Sequence, residues 1–470
     1  MTPTAVLLSL CYITAAVLFI LCLRGLSGPQ TARRGLVLGE VGMLIAVVGT
    51  LLHREIVTYE WIIAGILVGS TIGVAISAWI PMTKMPERIA FSHAFGGLAT
   101  ALVGVAEYMR ESEALTLFKM GALGFETFLG FLTFTGSLMA YGKLQGVITG
   151  APVTWKFQNY LNIGLFFGAI GGVGYIVFLH ATGGDHQLMN AIFFGIAGVG
   201  LALGVMAVLP IGGADMPVVI SLLNSYAGLA ACATGFALGS QILIISGALD
   251  GSSGLLLSML MSKAMNRSFA NVLFGAFGTA LEPGGKGAPQ IAKSYNEATV
   301  EDAGAVLKAS QTVIFVPGYG MAVSQAQHAV RDLAASLERR GVEVKYAIHP
   351  VAGRMPGHMN VLLAEANVPY DKLFDLDDIN DDFARTDAVI IVGANDVVNP
   401  AAKKDPSSPI YGMPVFNVEH SRSVIVLKRS MNPGFSGVEN ELFFQANTMM
   451  VLGDAKKTIL SMIGELKEGH

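Results

Sequence analysis

The chain is 470 residues long, 53% hydrophobic and only 14% charged, with a formal net charge of −4. This small negative charge argues against a nucleic-acid-binding role. The charges are unevenly placed, because 43 of the 64 charged residues fall in the last 208 positions. The asymmetry predicts a membrane domain at 1–262, a linker at 263–311 and a cytoplasmic domain at 312–470.

Apolar stretches of roughly 18 to 22 residues, each long enough to span a bilayer, recur through the first domain. We place nine transmembrane helices near 4–23, 35–52, 61–80, 88–106, 120–140, 160–179, 188–209, 217–235 and 239–260. The first stretch lacks a basic n-region and an A-x-A cleavage site, so we interpret it as a span and not as a signal peptide. The cysteines Cys11, Cys22 and Cys232 lie in apolar runs without metal-ligand spacing. They are typical of small core residues, and we expect no metal site.

The charges in the loops predict the orientation. Basic residues follow spans one, three, five and nine, at Arg24, Arg33, Arg34, Lys84, Arg88, Lys143, Lys156, Lys263 and Arg267. The alternate loops are acidic or nearly neutral. The positive-inside rule therefore places the N-terminus outside and the C-terminal domain in the cytoplasm. This alternation agrees with an odd number of spans.

Polar side chains inside spans are costly, so each is a candidate functional residue. His93 and Asn224 both fall roughly 8–11 Å from the cytoplasmic face, where they could meet. Histidine suits a proton relay because its ordinary pKa lies near neutral pH. A structural, hydrogen-bonded histidine is an equally good interpretation. Asp215 lies in the loop before span eight, where it is either a functional charge or a helix N-cap.

Two further acidic residues fall within predicted spans. Glu126 lies about a third of the way into span five from the outside, and Asp250 lies near the middle of span nine. Either could line an outer half-channel. Asp250 is followed by Gly251-Ser-Ser-Gly254, so it could instead mark a break in the helix.

The C-terminal domain alternates strand and helix patterns after a Gly- and Pro-rich linker at 278–290 and a polar arm at 290–310. The predicted strands are 312–316, 342–348, 387–392, 414–418, 423–428 and 448–452. The predicted helices are 321–340, 357–367, 377–385 and 454–466. This alternation predicts an α/β Rossmann-like domain with a doubly wound parallel sheet.

A glycine turn follows the first of these strands. Gly318 permits a tight turn, and Gly320 lets backbone approach a pyrophosphate at a helix N-terminus. Position 323 is Val, where the usual dinucleotide fingerprint has Gly or Ala, so the pattern alone is weak. The second strand ends without the acidic residue that would bind an NAD ribose, which disfavours ordinary NAD binding.

Other polar groups follow later strands of the predicted sheet. Arg354 and the run Lys428-Arg429-Ser430 could bind a 2′-phosphate, although a solvated surface run is the alternative. Asn395 and Asp396 follow a buried strand, at the edge where ligands bind in such sheets.

Several long segments resemble the proton-translocating nicotinamide nucleotide transhydrogenases. The segments GYGMAVSQAQ, RMPGHMNVLLAEANVPYD, VGANDVVNPAA, MPVFNVEHSRSVIVLKRSMNPGFSG and MVLGDAKK are similar to the family's NADP(H)-binding domain. FSHAFGGLA, SLLNSYAG and KAMNRSFANVLFGAFG are similar to its membrane domain. The resemblance covers nearly the whole chain and points to the beta subunit of the bacterial split form, an inner-membrane protein.

The resemblance implies hydride transfer between NAD(H) on a partner alpha subunit and NADP(H) on this chain, coupled to proton translocation and normally making NADPH. NADP(H) would lie reversed on the sheet, with the 318–323 turn at its pyrophosphate and Lys428, Arg429 and Ser430 at its 2′-phosphate. The 431–437 loop would act as a lid. The implied NADP(H) contacts are Gly318, Tyr319, Gly320, Ala322, Val323, Arg354, Met355, Pro356, Gly393, Asn395, Asp396, Lys428, Arg429, Ser430, Met431, Asn432, Gly453 and Asp454.

The same resemblance assigns His93 and Asn224 to the proton path and Asp215 to coupling, and leaves Glu126 and Asp250 without a settled role. A single dinucleotide site cannot exchange hydride alone, so the alpha subunit and the lipid bilayer are the expected partners, with a dimer of protomers as the assembly. The alternative is a membrane channel or transporter gated by a nucleotide-binding Rossmann domain. That alternative would bind nucleotide without turnover.

Overall fold

The structure is a computed structural model that describes residues 3–52, 58–111, 115–150, 152–265, 269, 294–355, 357–406, 408, 410–432, 434 and 436–467. Contacts separate the chain into two compact units, and the division falls close to Leu260. The Gly- and Pro-rich segment 278–290 lies outside the described residues.

The first unit contains nine helices, within the described residues, that are long and apolar enough to cross a membrane. They are α1 (Pro3–Leu26), α2 (Pro29–Leu51), α3 (Glu60–Trp79), α4 (Met85–Glu111), α5 (Leu117–Gln145), α6 (Gln158–Thr182), α7 (His186–Val208), α8 (Met216–Leu238) and α9 (Gln241–Ala264). The prediction of about nine transmembrane helices is confirmed.

Helix α5 is the centre of the membrane unit and packs against α4, α6, α7 and α8. Small residues permit this packing, because helices in lipid associate through close van der Waals contact. A Cβ atom added to Gly130 would lie 2.8 Å from the backbone nitrogen of Ala101, and one added to Gly97 would lie 3.0 Å from the Gly130 carbonyl oxygen. The α4–α5 interface is therefore made of backbone against backbone.

Helices α8 and α9 form a second close pair. A Cβ atom added to Gly228 would lie 2.7 Å from Cα of Gly251, and one added to Gly247 would lie 2.7 Å from the Gly228 carbonyl oxygen. The Ser225 hydroxyl also donates a hydrogen bond to the Gly251 carbonyl oxygen at 2.7 Å. Asp250 adjoins this seam. The glycines that follow it do not break the helix, which continues to Ala264.

Helix α3 differs from the other spans. None of its residues is buried within this chain, although its mean hydropathy is among the highest of the nine. Its apolar surface is therefore available to lipid or to a neighbouring chain.

The second unit is a Rossmann-like domain with six parallel strands in the order β3-β2-β1-β4-β5-β6. The strands are β1 (Thr312–Pro317), β2 (Glu343–Ile348), β3 (Leu373–Asp375), β4 (Ala388–Val392), β5 (Ser423–Lys428) and β6 (Thr448–Leu452). Helices α10 (Val300–Ala309), α11 (Tyr319–Val323), α12 (Gln327–Glu338), α13 (His358–Glu365), α14 (Leu376–Ile379), α15 (Ala401–Lys404) and α16 (Ala455–Lys467) complete it. The predicted doubly wound parallel sheet is confirmed. Strands β1 and β4 are almost wholly buried, which explains their continuous apolar sequences.

The predicted strands differ from the structure in two places, since one predicted strand is wrong and one strand was not predicted. The segment 414–418 is not a strand, because the amides of Phe416 and Asn417 donate to the Val397 carbonyl oxygen and the Asn380 side-chain oxygen, and not to a neighbouring strand. Strand β3 was missed because its three residues at the edge of the sheet are too few to show an alternating pattern.

The helix predicted at 321–340 is two helices. It is interrupted at Gln325, whose φ of +50° lies in the left-handed region that few non-glycine residues adopt. The glycine turn therefore opens a helix of five residues, α11, and not the long helix that the sequence indicated. Residues 300–309, inside the predicted linker, form α10, which packs against α16.

His349 fixes the carboxyl end of β2 to the loop before residue 415. Its side chain is 2% exposed, its Nε2–H donates to the Pro414 carbonyl oxygen at 2.7 Å, and its Nδ1 accepts from the Val351 amide at 3.3 Å. Burial lowers the pKa of His349 to about 4, although the Pro414 carbonyl opposes that shift. The imidazole is therefore neutral in the folded domain at neutral pH.

We predict that His349 makes the stability of this domain depend on pH. Because the folded pKa lies below the unfolded value of about 6.5, stability is full above pH 6.5 and falls as the pH approaches 4. Between pH 7 and pH 5 the loss should be about 2 kcal/mol. The measurement is urea unfolding of a soluble fragment spanning residues 290–470 at the two pH values.

His349→Gln keeps an N–H donor but does not titrate, so it should lose about 2 kcal/mol less than the parent over this range. His328→Gln, at an exposed position on α12, is the matched control and should behave as the parent does. Equal pH dependence in the parent and in His349→Gln would contradict the prediction.

Candidate functional site

The carboxyl ends of all six strands lie at one edge of the sheet, because the strands are parallel. The chain leaves β1 toward β2 on one side and later returns to β4 on the other. The crevice between the ends of β1 and β4 is thus the topological switch point, where open α/β sheets bind ligands. Gly318 follows β1 and Gly393 follows β4 at this point.

The turns after β1 and β4 contact each other through their backbones. The Gly318 amide donates to the Val392 carbonyl oxygen, and the Gly320 amide donates to the Gly393 carbonyl oxygen, each at 2.9 Å. A Cβ atom added to Gly320 would lie 2.6 Å from Cα of Gly393, which itself has a φ of +65°. Gly320 is therefore needed for packing the two turns together, a role that the sequence did not indicate. Beside it, Ala322 is buried and Val323 is exposed.

Arg354 extends from the loop after β2 to the turn after β1. Its Cζ atom lies 4.3 Å from the centroid of the Tyr319 ring, an arrangement that holds a guanidinium group by a cation–π interaction. Its backbone amide donates to Nδ1 of the buried His358 at 3.1 Å. Met355 is partly exposed beside it, and Pro356 lies outside the described residues.

Asp396 connects the end of β4 to the predicted lid. Its carboxylate accepts hydrogen bonds from the Ser436 amide at 3.1 Å and from the Ser436 hydroxyl at 2.6 Å. The Asn395 side-chain amide donates to Asp396 at 3.2 Å, and the Asn440 side-chain amide donates to the Asn395 carbonyl oxygen at 2.9 Å. Ser436 lies within the 431–437 loop that was predicted as a lid, whereas Asn440 was not predicted to join this network, because an isolated polar residue in a loop carries no sequence signal.

In the run Lys428-Arg429-Ser430 at the end of β5, the lysine is engaged within the chain and the arginine is exposed. The Lys428 ammonium donates to the Asn432 carbonyl oxygen and lies 4.8 Å from the centroid of the Phe443 ring. Burial lowers the pKa of Lys428, and the nearby Asp396 carboxylate partly opposes this. Arg429 and Ser430 are exposed. Among these three residues, Arg429 and Ser430 are thus the side chains open to a ligand.

The remaining predicted positions lie around the same edge. Met431 is partly buried against the core of the sheet, and Asn432 is exposed. The Gly453 amide donates to the Lys428 carbonyl oxygen at 2.9 Å, and Asp454 accepts from the Lys457 amide at 3.1 Å at the start of α16. The structure thus places residues from the ends of β1, β2, β4, β5 and β6 at one edge, as the sequence predicted for a ligand site.

In the membrane unit, α4, α8 and α9 each contribute one polar side chain to a cluster, which we call the α4–α8–α9 cluster: His93, Asn224 and Asp250. The Asn224 side-chain amide donates to Asp250 at 2.9 Å. His93 interacts electrostatically with Asp250 and faces the carbonyl group of Leu223. The expectation that His93 and Asn224 lie at similar depth agrees with this arrangement. The sequence did not predict that Asp250 joins them.

Glu126 lies in another part of the membrane unit. Its side chain is fully buried on α5, against Gly104 of α4, and its carboxylate interacts with Thr234 and Glu107. Glu107 belongs to the last two turns of α4, whereas His93 belongs to the first three. Glu126 is therefore not part of the α4–α8–α9 cluster.

Asp215 ends a short 3₁₀ helix (Gly213–Asp215) directly before α8 and is buried. Its side chain makes no capping hydrogen bond to α8, which disfavours the N-cap interpretation. The loop before it is held by Lys143 of α5, whose buried ammonium donates to the carbonyl oxygens of Leu209 and Ile211 at 2.5 and 2.7 Å. The sequence indicated only that Lys143 was a loop charge.

Comparison with known proteins agrees with this architecture. The model of the family described as NAD(P) transhydrogenase beta subunit matches residues 8–465. The NAD(P) transhydrogenase subunit beta of Rhodospirillum rubrum is 49% identical over 454 residues, covering 95% of this chain and 96% of that protein. The same protein from a named strain of that species gives the same values. The chain therefore belongs to the NAD(P) transhydrogenase beta subunit family and is a multi-pass membrane protein.

Proposed function

We propose that this chain binds NADP(H) at the carboxyl edge of its sheet and exchanges hydride with NAD(H) held by an alpha subunit, coupled to proton translocation and normally making NADPH. The observation that carries the proposal is the convergence of Gly318, Arg354 and Arg429 on that edge in a chain of this family. This arrangement places two guanidinium groups beside the glycine turn, where they can bind a phosphate-rich ligand.

Preference for NADP(H) over NAD(H) follows from the charges at this edge. The chain continues from β2 into His349, which is buried and bound to the Pro414 carbonyl oxygen, so the usual ribose-binding carboxylate is missing there. Arg429 and Ser430 are exposed at the end of β5 and would hold the 2′-phosphate through charge-assisted hydrogen bonds. The turn at 318–323 would meet the pyrophosphate.

The lid would respond to the ligand through two contacts. Lys428 is bound to the Asn432 carbonyl oxygen, and Asp396 is bound to Ser436. A 2′-phosphate beside Arg429 would compete with the Asn432 carbonyl oxygen for the Lys428 ammonium, because an anion is the stronger acceptor. Phosphate binding would therefore change how the 431–437 lid is held at one end.

The nicotinamide ring supplies or accepts the hydride when the dinucleotide is bound. The chain needs no catalytic acid or base for this transfer, and its residues position the ring and exclude water. The second ring must come from the alpha subunit, because the described residues contain a single Rossmann-like unit. We propose a dimer of such protomers, and the unburied α3 offers an apolar surface for an assembly.

The proton would cross the inner membrane by way of His93 and Asn224, with the N-terminus outside and the C-terminal domain in the cytoplasm. Asp215 stands at the start of the Asn224 helix, and we propose that it relays the state of the cluster to the NADP site. Such a relay must change the relative energies of two states of that site. A potential of about 150–200 mV supplies roughly 3.5–4.5 kcal/mol per proton, enough to displace the hydride equilibrium about 10³-fold.

The fragment 290–470 should fold alone and bind NADP(H) far more tightly than NAD(H), because its basic groups suit a 2′-phosphate. Arg429→Ala should weaken NADP(H) binding by about 2–3 kcal/mol, the cost of losing a charge-assisted pair. Calorimetry of the fragment with both nucleotides measures the difference. Arg339→Ala, at an exposed position four residues before β2 and so near the opposite edge of the sheet, is the control and should bind as the parent does. Equal affinity for the two nucleotides would refute the assignment.

This chain alone in liposomes should show no hydride transfer from NADH to an NADP analogue, and mixing with the NAD-binding subunit should restore it. The reason is that one dinucleotide site cannot place two nicotinamide rings face to face. The assay follows reduction of the analogue by absorbance. Robust NADH-linked turnover by the single chain would show that it has a second nucleotide site. Nucleotide binding without turnover in the mixture would favour a gated channel.

His93→Ala should abolish proton uptake by the complex and strongly slow NADH-to-NADP transfer, because the two processes are linked. NADP binding by the 290–470 fragment should be unaffected, since that fragment lacks the residue. The measurement is proton uptake with a pH-sensitive dye in proteoliposomes, beside turnover in the same preparation. Ser92→Ala, at the exposed neighbouring position on α4, should behave as the parent does. If His93→Ala takes up protons at the parent rate, the histidine is structural.

A further inference from the structure

Asp250 places a carboxylate within a membrane span. It is the tenth of the 24 residues of α9, which puts it about 14 Å along the helix axis from the first residue. On the isolated chain its side chain is exposed, although both its neighbours in the cluster are partly buried. A carboxylate at membrane depth is costly unless it has polar partners, so its presence there points to a function.

The partners of Asp250 come from two other helices. The Asn224 amide of α8 donates to its Oδ1 atom at 2.9 Å, and His93 of α4 interacts with it electrostatically. Nε2 of His93 is buried and makes no hydrogen bond to any of the described residues. The imidazole therefore retains a nitrogen that can take or release a proton.

The surroundings of Asp250 contain few other polar groups. The Ser225 hydroxyl of α8 is engaged with the Gly251 carbonyl oxygen, and the hydroxyls of Ser252 and Ser253 are bonded to carbonyl oxygens of α9 itself. Within the described part of the chain, His93 is the titratable side chain that acts on Asp250. The charge on one of these two groups therefore influences whether the other binds a proton.

We propose that Asp250 and His93 form a single proton-binding pair, positioned by Asn224, and that the translocated proton occupies this pair. The inference deepens the proposed proton path and rests on it. At rest the pair holds one proton, on either group, and has no net charge. A second proton that enters from one side of the membrane leaves both the Asp250 carboxyl group and the His93 imidazole protonated, and release of one proton to the other side restores the resting pair.

This charge balance suits a translocation site. The resting pair is electrically neutral, which reduces the cost of placing it inside the bilayer. The doubly protonated pair has a charge of +1 in a poorly solvated place, so the second proton is held weakly and leaves readily. Asn224 is a positioning residue on the proton path, because its amide donates a hydrogen bond to the carboxylate but does not itself titrate.

The test uses the complete complex of this chain with the NAD-binding subunit in proteoliposomes, with proton uptake and turnover measured against pH. Asp250→Asn is nearly isosteric but binds no proton, so proton uptake should fall about tenfold or more. The pH dependence of the remaining turnover should move to lower pH by about one unit or more, because a neighbouring carboxylate favours the protonated imidazole. Asp250→Glu should keep part of the proton uptake. Ser252→Ala, two residues away on α9, is the matched control and should match the parent.

Proton uptake and a pH profile equal to the parent's in Asp250→Asn would overturn the inference while the parent's own proton uptake still supports the proposed function. Absence of proton uptake in the parent complex would overturn both. Equal losses in Asp250→Asn and Asp250→Glu, with the pH profile unmoved, would show a packing role and also overturn it.

A second measurement does not depend on how the Asp250 variants fold. Infrared spectra of the parent complex should show the carbonyl band of a protonated carboxylic acid growing as the pH falls, with a midpoint that shifts in His93→Ala. A carboxylic acid band that is insensitive to the His93 substitution would contradict the pairing.

Discussion

The Rossmann-like domain depends on the direct contact between two glycine turns. The amides of Gly318 and Gly320 are both bonded to carbonyl oxygens at the end of β4, and the Gly393 backbone fills the space that a side chain at Gly320 would need. This contact sets the distance between the carboxyl ends of β1 and β4. It therefore determines the width of the crevice around which Arg354, Asp396 and Arg429 are arranged. A side chain in place of Gly320 or Gly393 would force the two turns apart.

The membrane unit also depends on close backbone approach at glycines, here between two helices. Close approach of α8 and α9 at Gly228, Gly247 and Gly251 brings polar side chains of neighbouring helices within hydrogen-bonding distance. Without hydrophobic driving force between helices in lipid, such contacts depend on the absence of side chains at the seam. In both units, glycine permits the backbone approach and the candidate functional side chains lie beside it.

The sequence was sufficient for the features that depend on long or periodic patterns. Runs of apolar residues predicted the nine spans, and the alternation of strands and helices predicted the parallel sheet with its polar residues at one edge. Features that depend on single contacts could not be predicted. The three residues of β3 are too few for a pattern. Val415, Phe416 and Val418 favour a strand, but the Phe416 amide bonds to the Val397 carbonyl oxygen in a loop. Nothing in the sequence indicates the positive φ of Gln325.

The same limit applies to the site. Sequence reasoning predicted Asp396 and Lys428 as ligand contacts, and the structure shows them bonded to Ser436 and Asn432 of the 431–437 loop. Asp250 was recognised as a costly residue, but its partnership with Asn224 depends on the register of two helices. That register is set by glycine packing, which hydropathy does not report.

The buried lysine of α5 has a consequence for the order in which the membrane unit assembles. Lys143 is bonded to carbonyl oxygens of Leu209 and Ile211, which leave the ribosome more than sixty residues after it. Because Lys143 is close to the carboxyl end of α5, its ammonium can stay in water by extending along the helix until α7 arrives. When α7 packs against α5, the Lys143 ammonium group exchanges water for the carbonyl oxygens that directly follow α7. Insertion of α5 can thus precede formation of its buried contacts, and Lys143 can hold the loop before Asp215 only once α7 is in place.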